Sequence, residues 1–195
     1  MDGKPRLGVY FASSNPEKIA EARLILSRYG IRVRTARIEL HEPSVNDQRK
    51  VAQAKAAAAF KALGCPALAE DTAVYFNATP GYPGLGTARE FRRLGFKGLL
   101  ARIRGKARGA RFVTMVAYCD SKKSVPKVFI GVLRGRLAAR PKRTGRRGMR
   151  FPYERIFRPC NSGKLLCEMT AAEKMRISHR SKAFAKFAAW FKSRR

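Results

Sequence analysis

The spacing of hydrophobic positions changes several times along the chain, and each change predicts the boundary of a strand or a helix. The segments RLGVYFAS (6–13) and IRVRTARIEL (31–40) are apolar or alternating, which is typical of strands. Between them, apolar residues recur at helical spacing after Asn15 and Pro16, two residue types favoured where a helix begins. Gly30 is expected to end this helix.

The same reasoning predicts the remaining elements and the fold class. In order, they are a helix at 46–63, a strand at 65–76, a Gly/Pro loop, short helices near 87–94 and 97–103, adjacent strands at 110–119 and 127–138, a short strand within YERIFRP (153–159) and a closing helix at 170–191. Strands that alternate with helices predict an α/β fold with a mixed sheet. At 195 residues the chain is expected to form one domain, or one domain with two lobes.

Aromatic residues of the closing helix lie at the spacing of a buried face. Phe184, Phe187 and Phe191 recur on one side of the helix, beside Trp190. We interpret this stripe as core rather than as a platform for nucleic-acid bases.

Net charge adds information that hydropathy does not. The chain holds 43 Lys and Arg against 13 Asp and Glu, a formal net charge of +30. A basic loop at 134–150 contains no acid, and its cations are Arg134, Arg136, Arg140, Lys142, Arg143, Arg146, Arg147 and Arg150. Such a surface favours a polyanion, and RNA or DNA is the natural candidate.

Other classes of protein are disfavoured. No apolar run approaches the ~20 residues that cross a bilayer, and the start MDGKPRLGVYF lacks the features of a secretory signal, so a cytoplasmic location is expected. Four scattered cysteines and two histidines supply a zinc site poorly and predict free thiols, buried or partly buried.

Candidate chemistry begins at the first junction of a strand and a helix. The string ASSNPEK places Ser13, Asn15 and free backbone N–H groups at a helix N-terminus, with Lys18 one turn later. This arrangement suits an anion such as phosphate, although an ordinary cap with a surface lysine gives the same string.

Two adjacent acids are unusual in so basic a chain. Glu70 and Asp71 follow an apolar run, and Glu42 is a third candidate in the loop ELHEPS. Carboxylates of this kind bind Mg²⁺ together with substrate phosphates. Because neighbouring strand residues point to opposite faces, Glu70 and Asp71 are expected to share a site only where the strand ends or bends.

A last candidate motif lies in the closing helix. The string EKMRISHR brings together Lys174, Ser178, His179 and Arg180, which are donors of the kind that a nucleotide pocket requires.

Four strings of the sequence, taken in their order and at their separations along the chain, resemble the motifs of one known family. SSNPEK, EDTAVYFNATPGYPG, FPYERIF and EKMRISHR are similar to motifs of the inosine triphosphate pyrophosphatase family, and the resemblance runs from about residue 7 to 191. It implies an elongated mixed sheet with flanking helices, two lobes around a central cleft, a Mg²⁺ cofactor and a possible homodimer. It also implies hydrolysis of ITP, dITP or XTP to the monophosphate and pyrophosphate.

The resemblance also implies roles for individual residues. Asp71 would act on the attacking water with Glu70 assisting, and Glu42 and Asp71 would hold the metal. The substrate would be bound by Ser13, Asn15, Lys18, Lys55, Thr72, Phe151, Lys174, Ser178, His179 and Arg180. Among these, Phe151 would stack on the base, while His179 and Arg180 would read the 6-oxo group of the purine.

Some positions depart from the family pattern. Pro152, Glu154 and Arg155 replace Gly, Asp and Pro in the base-binding loop, and Met175 stands where an amide is usual. A second hypothesis therefore stays open, in which the fold serves an RNA-binding, ribosome-associated protein with weakened or lost catalysis.

Overall fold

The structure, a computed structural model, describes residues 8–36, 38, 43, 45–143 and 151–194. Its strands are β1 (Gly8–Ala12), β2 (Arg32–Ala36), β3 (Ala67–Phe76), β4 (Pro83–Gly84), β5 (Gly109–Cys119), β6 (Lys127–Leu137) and β7 (Phe157–Pro159). Its α-helices are α1 (Pro16–Ser27), α2 (Gln48–Leu63), α3 (Thr87–Ala101), α4 (Ala171–Ile177) and α5 (His179–Ser193), and 3-10 turns lie at Pro152–Arg155 and Leu166–Glu168.

The seven strands form one mixed sheet, which confirms the predicted α/β class. The order is β2-β1-β3-β5-β6-β7, with β4 paired to β3. β1 runs parallel to both β2 and β3, whereas β4 and β7 run antiparallel to their partners. The parallel pairs follow from the helical connections early in the chain, and β4 turns back on β3 through a short loop.

Contacts divide the chain into two compact units. The first unit comprises Met1–Asp71, Thr114–Gly131 and His179–Arg195, and the second comprises Thr72–Val113 and Val132–Ser178. The predicted single domain with two lobes, the elongated outline and the cleft remain predictions.

In the first unit, helices cover both faces of the sheet. Helix α5 packs on α1 and on β1, where the rings of Phe11 and Phe184 meet edge to face at 5.7 Å. On the other face, Ala52 and Ala56 of α2 pack against Ala69 of β3. Phe184 and Phe187 are fully buried, which confirms their interpretation as core, whereas Trp190 and Phe191 are only partly buried.

The second unit has its own hydrophobic core on one face of the sheet. It is built from β3, β5, β6, β7, α3 and the 3-10 turns, and its members include Val74, Phe112, Leu133, Tyr153 and Phe157. The alternate residues of those four strands lie on the opposite face of the sheet.

Two predicted helices differ from the structure. The closing helix is interrupted at Ser178, whose extended backbone (φ −64°, ψ 151°) separates α4 from α5. Element α3 is kinked at Gly95, whose non-helical backbone (φ 57°, ψ −167°) only glycine adopts freely, so it consists of two helical segments, in agreement with the short helices predicted near 87–94 and 97–103. Helix α1 ends at Ser27, three residues before Gly30.

Cys160 is exposed rather than buried or partly buried. Within the ranges that the structure describes, none of the helices has the length and apolar character needed to cross a membrane.

Candidate active site

The two adjacent acids lie inside β3 and not at its end. Although they are neighbours in sequence, Glu70 and Asp71 contact different helices: Glu70 is paired with residues of α1 and α5, and Asp71 with a residue of α2. This is the alternation of side chains that an uninterrupted strand imposes. The condition under which the two carboxylates could share a site, a strand end or a bend, is therefore not met.

Glu70 is the centre of a buried charge cluster in the first unit. Its side chain is fully buried, and Lys18 Nζ lies 3.1 Å from its Oε1. The guanidinium of Arg180 donates to both carboxylate oxygens, from Nε at 2.7 Å and from Nη2 at 3.1 Å. Glu70 thus holds Lys18 and Arg180 together, two residues that sequence analysis assigned to substrate.

Glu21 completes this cluster and was missed by sequence analysis. Its Oε2 accepts a hydrogen bond of 2.6 Å from Nη1 of Arg180, so the two acids together engage Nε, Nη1 and Nη2 of that guanidinium. The two carboxylates raise the pKa of Arg180 well above its usual value. Glu21 follows Lys18 by three residues on α1, and helical spacing was the signal that could have placed it on this face.

The two carboxylate oxygens of Asp71 differ in their contacts: Oδ1 has a partner, and Oδ2, which we call the open oxygen, has no hydrogen-bond partner among the described residues. Its Oδ1 pairs with Lys55 Nζ at 3.2 Å, and Gln48 Nε2 donates to its backbone carbonyl at 3.3 Å. All three residues are buried. Among the described residues, no hydrogen-bond partner reaches Asp71 Oδ2, although that atom is buried.

An unsatisfied buried carboxylate oxygen is costly, and it fits a cation or a water molecule that arrives with the substrate. Residues 8–36, 38, 43, 45–143 and 151–194 contain no group of three His, Cys, Asp or Glu that could hold a metal ion alone. Mg²⁺ commonly needs only one or two carboxylates together with phosphate oxygens, so the residues present fit such an ion. Glu42, the other predicted ligand, lies outside the described residues.

The junction between β1 and α1 is already capped. Asn15 Oδ1 accepts hydrogen bonds from the backbone N–H groups of Glu17 (2.9 Å) and Lys18 (3.4 Å), and Ser13 Oγ accepts from that of Asn15 at 3.2 Å. These three N–H groups are therefore not free, contrary to the expectation from sequence. The side chains of Ser13, Asn15 and Lys18 remain candidate donors to an anion.

His179 is buried at the start of α5. Its Nδ1 lies 2.6 Å from the hydroxyl of Thr114, a fully buried residue on β5 that sequence analysis did not identify. Burial, helped by the positive charge of Arg180, lowers the pKa of His179 to about 3. The ring is therefore neutral at pH 7, and when the Thr114 hydroxyl donates to Nδ1 the ring proton is on Nε2.

The buried neutral imidazole predicts a dependence of stability on pH. Because the pKa of His179 is lower in the folded state than in the unfolded one, the unfolded state binds the extra proton between about pH 6.5 and 3, and stability falls as pH falls through that window. We expect the free energy of unfolding to drop by about 2 kcal/mol between pH 7 and 5. Urea unfolding of the wild type and of His179→Gln measures this, and the variant should lose most of the slope.

His41→Gln is the matched control, because His41 is the only other histidine. The pH slope should survive in that variant. An equal slope in wild type and His179→Gln would show that His179 is not the buried neutral group.

A glycine on β6 fixes where α5 begins. A Cβ at Gly131 would overlap the carbonyl oxygen of His179 and would lie 2.6 Å from the backbone nitrogen of Ala183. The helix can therefore approach the strand only because this position has no side chain. This close approach sets the position of His179 and Arg180 against the sheet.

The second unit contains the other predicted substrate residues. Lys174 Nζ is paired with Glu154, the residue that replaces the Asp of the family pattern. Phe151 is half-buried and packs against the rings of Phe112 and Tyr153, at 5.5 and 5.7 Å. The structure thus brings Lys174 and Glu154 together, and it seats Phe151 on the core.

Thr72 and Ser178 have ordinary backbone positions in that unit. Thr72 is half-buried on β3, and Ser178 ends α4 by donating its N–H to the carbonyl of Lys174 at 2.8 Å. Nearby, Thr87 is the first residue of α3. Its hydroxyl donates to the Gly84 carbonyl at 2.5 Å and accepts from the N–H of Val74 at 3.0 Å, so it holds β3, β4 and α3 together.

The predicted basic loop is described only in part. Arg134 and Arg136 lie on β6 and not in a loop, which corrects the predicted start of the loop at 134. Arg140, Lys142 and Arg143 follow the strand, and Lys142 Nζ pairs with Glu168 at 3.1 Å. The other three predicted cations, Arg146, Arg147 and Arg150, fall outside the described residues.

Comparison with known proteins agrees with the motifs. The chain is 36% identical over 186 residues to the dITP/XTP pyrophosphatase of Methanopyrus kandleri, an alignment that covers 95% of this chain and 96% of that protein. It is 31% identical to the dITP/XTP pyrophosphatase of Thermococcus kodakarensis, with 93% and 96% covered. Among solved structures, a HAM1 protein from Coxiella burnetii superposes with a TM-score of 0.75 at 25% identity, covering 96% of this chain and 99% of that one.

A family-wide match agrees with these pairwise ones. Residues 9–190 match the sequence pattern of the Ham1 family, which is almost the range over which the four motifs are spread. The chain belongs to the Ham1 family.

Proposed function

We propose that this protein hydrolyses the non-canonical purine nucleoside triphosphates dITP, XTP and ITP to the monophosphate and pyrophosphate. The observation that carries the proposal is Asp71, a buried carboxylate with one oxygen held by Lys55 and the other without a hydrogen-bond partner among the described residues. The name dITP/XTP pyrophosphatase, given to relatives that match nearly the whole chain, supports this choice of substrate.

The reaction needs a base or an orienting group for water. A water oxygen forms a new bond to the α-phosphorus while the bond from that phosphorus to the bridging oxygen breaks, and pyrophosphate leaves. Asp71 Oδ2 is the atom proposed to accept the hydrogen bond, and then the proton, of that water. Lys55 fixes the carboxylate through its other oxygen, so the open oxygen keeps one direction.

Cations of the first unit are proposed to bind the triphosphate. Lys18 and Lys55 each stand beside a carboxylate, which keeps their ammonium groups in place before substrate arrives. Pre-positioned cations stabilise the negative charge that develops on the departing pyrophosphate. Glu70 is proposed to act through Lys18 and Arg180 as a positioning residue, since both of its oxygens already accept hydrogen bonds.

A divalent cation, Mg²⁺ in our proposal, would be held by Asp71 and Glu42 together with phosphate oxygens. When bound, it neutralises phosphate charge and polarises the phosphoryl group. Every other contribution to the proposed reaction comes from side chains of the protein.

Selection of the base is proposed to use His179 and Arg180. A neutral His179 with its proton on Nε2 donates to the 6-oxo group of hypoxanthine or xanthine, whereas the 6-amino group of adenine offers no acceptor there. An unpaired buried donor makes the wrong base costly. The roles of Ser13, Asn15, Thr72, Phe151, Lys174 and Ser178 at the substrate remain predictions.

The test is a direct assay of purified protein with Mg²⁺. We expect stoichiometric pyrophosphate and dIMP from dITP, with kcat/KM for dITP and XTP at least about 100-fold above that for dATP, because an unmet hydrogen bond in a buried site costs several kcal/mol. Release of single phosphates, or equal rates with dATP, would contradict the proposal. A full set of divalent metals should be assayed before inactivity is concluded.

The names of the relatives concern nucleotide hydrolysis and give no support to an RNA-binding protein without catalysis. The described charged residues of the candidate site, Lys18, Lys55, Glu70, Asp71 and Lys174, are all present and ion-paired, which also argues against loss of activity. A homodimer and a cytoplasmic location remain proposals, the second because nucleotide pools are cytoplasmic.

A further inference from the structure

One face of the sheet in the second unit carries arginine on successive strands. The opposite face is core, formed by Val74 of β3, Phe112 of β5, Leu133 of β6 and Phe157 of β7. Because side chains alternate along each strand, the neighbours of these residues lie on the other face. They include Tyr75 of β3, Arg111 of β5, Arg134 and Arg136 of β6, and Arg158 of β7. We call these five residues the arginine face.

The four arginines of this face are exposed. Arg136 and Arg158 are directly opposite each other in the antiparallel pair of β6 and β7. Like charges in that position destabilise a strand pair. Arg111 lies over the ring of Tyr75, with its Cζ 5.0 Å from the ring centroid.

The acids of the second unit do not neutralise this face. The unit contains twenty-two Lys and Arg but only four Glu, and each Glu is paired elsewhere: Glu90 with Arg93, Glu154 with Lys174, Glu168 with Lys142, and Glu173 with Lys164. Glu168 also feels the charge of Arg158, although its ion pair is with Lys142. In the described part of the chain, no carboxylate forms an ion pair with any arginine of the arginine face.

The excess positive charge of the arginine face indicates what kind of molecule binds there. A second copy of this chain would bring arginine against arginine at a two-fold contact, which is repulsive. A phosphate chain is complementary, because each phosphate accepts bidentate hydrogen bonds from a guanidinium and its binding releases counterions. Arg134 and Arg136 point to the same side about 6.6 Å apart along β6, which allows them to contact successive groups of an extended chain.

Tyr75, the aromatic residue of the arginine face, indicates which kind of phosphate chain binds there. Flat sheet faces that combine aromatic rings and arginine planes bind single-stranded nucleic acid, since exposed bases stack on both kinds of group. A duplex keeps its bases stacked internally and offers only phosphates. From these observations we infer that the arginine face binds single-stranded nucleic acid, a binding function separate from triphosphate hydrolysis.

The experiment removes the four arginines and compares the result with a charge-matched control. In the test variant Arg111, Arg134, Arg136 and Arg158 become Gln. In the control, four exposed cations of the first unit become Gln, namely Arg28, Lys61, Lys122 and Lys123. Both variants lose four positive charges, so any difference between them reports position and not net charge.

Binding is measured by fluorescence anisotropy with a labelled twelve-residue oligouridylate, from 50 to 500 mM KCl. We expect the test variant to bind roughly 100-fold more weakly at 0.1 M salt, with a salt slope smaller by about 3, and the control to stay near wild type. A separate variant, Tyr75→Leu, should weaken oligouridylate binding about tenfold while leaving the binding of heparin unchanged.

Other results would overturn the inference. The first is an equal loss of affinity in the test and control variants, and the second is tighter binding of duplex RNA than of single strands. The third is binding of polyglutamate as tight as that of oligouridylate, a result that would indicate an acidic protein partner. Hydrolysis of dITP and thermal unfolding serve as checks that all variants are folded. The arginine face lies outside the residues proposed for catalysis, so hydrolysis should be unchanged.

Discussion

We expect Asp71→Asn to lower kcat for dITP hydrolysis by about 100- to 10,000-fold. The amide keeps the size of the side chain and an oxygen acceptor for Lys55, but it loses the charge and the basic oxygen that is left without a hydrogen-bond partner among the described residues. A base or metal ligand of this kind contributes two to four orders of magnitude in rate. Pyrophosphate release at saturating dITP, measured over a range of Mg²⁺ concentrations, gives the result.

Asp47→Asn is the matched control for that experiment. Asp47 caps the start of α2 by accepting hydrogen bonds from the N–H groups of Arg49 and Lys50, and Asn caps a helix about as well as Asp. The control should keep the wild-type rate. If Asp71→Asn also kept that rate while remaining folded, the open carboxylate oxygen would have no part in the reaction and the proposed mechanism would be wrong.

The sequence was sufficient for elements whose signals are local. Asn15 and Pro16 place the start of α1 because an N-cap and a proline act within one turn. Gly64 ends α2 with a left-handed backbone (φ 66°), as glycine does at many helix ends. The strands β1, β2, β3, β5, β6 and β7 follow in the same way from periodicity, whereas β4 lies within the predicted Gly/Pro loop.

The partners of the site residues could not be obtained that way. Thr114 meets His179 across 65 residues of sequence, and Glu21 meets Arg180 across 159. Periodicity indicates which face of an element is buried, but it says nothing about what that face contacts. The space at Gly131 that admits α5 depends equally on a distant helix, so no local pattern marks that glycine.

The adjacent acids show what a rare residue pattern indicates and what it leaves undetermined. Their rarity in a basic chain singled out Glu70 and Asp71, which could share a site only at a strand end or bend. In the structure β3 continues for five residues after Asp71, and the two side chains are paired with separate lysines, Lys18 and Lys55. Because neighbouring side chains point to opposite faces, β3 positions one lysine on each face. A search for one site shared by both acids does not predict this arrangement.

The second large effect that we expect is on stability. Glu70→Gln should lower the free energy of unfolding by about 3–5 kcal/mol, because it leaves Lys18 and Arg180 beside each other without the carboxylate that both contact. For a chain of this length that corresponds to a fall in Tm of about 10 °C. Thermal and urea unfolding at pH 7 measure the change.

Glu21→Gln is the matched control, and it tests whether the loss of stability depends on the burial of the carboxylate or only on its charge. It removes the same charge from the same arginine, yet the Glu21 side chain is 41% exposed whereas that of Glu70 is fully buried. Water can replace the Glu21 carboxylate, so that variant should lose less than about 1 kcal/mol. Adding Lys18→Met to Glu70→Gln should restore part of the lost stability, since it removes one of the two cations that had contacted the Glu70 carboxylate. Equal losses in the Glu70 and Glu21 variants, with no recovery in the double variant, would mean that the cluster is held by packing rather than by its buried charge.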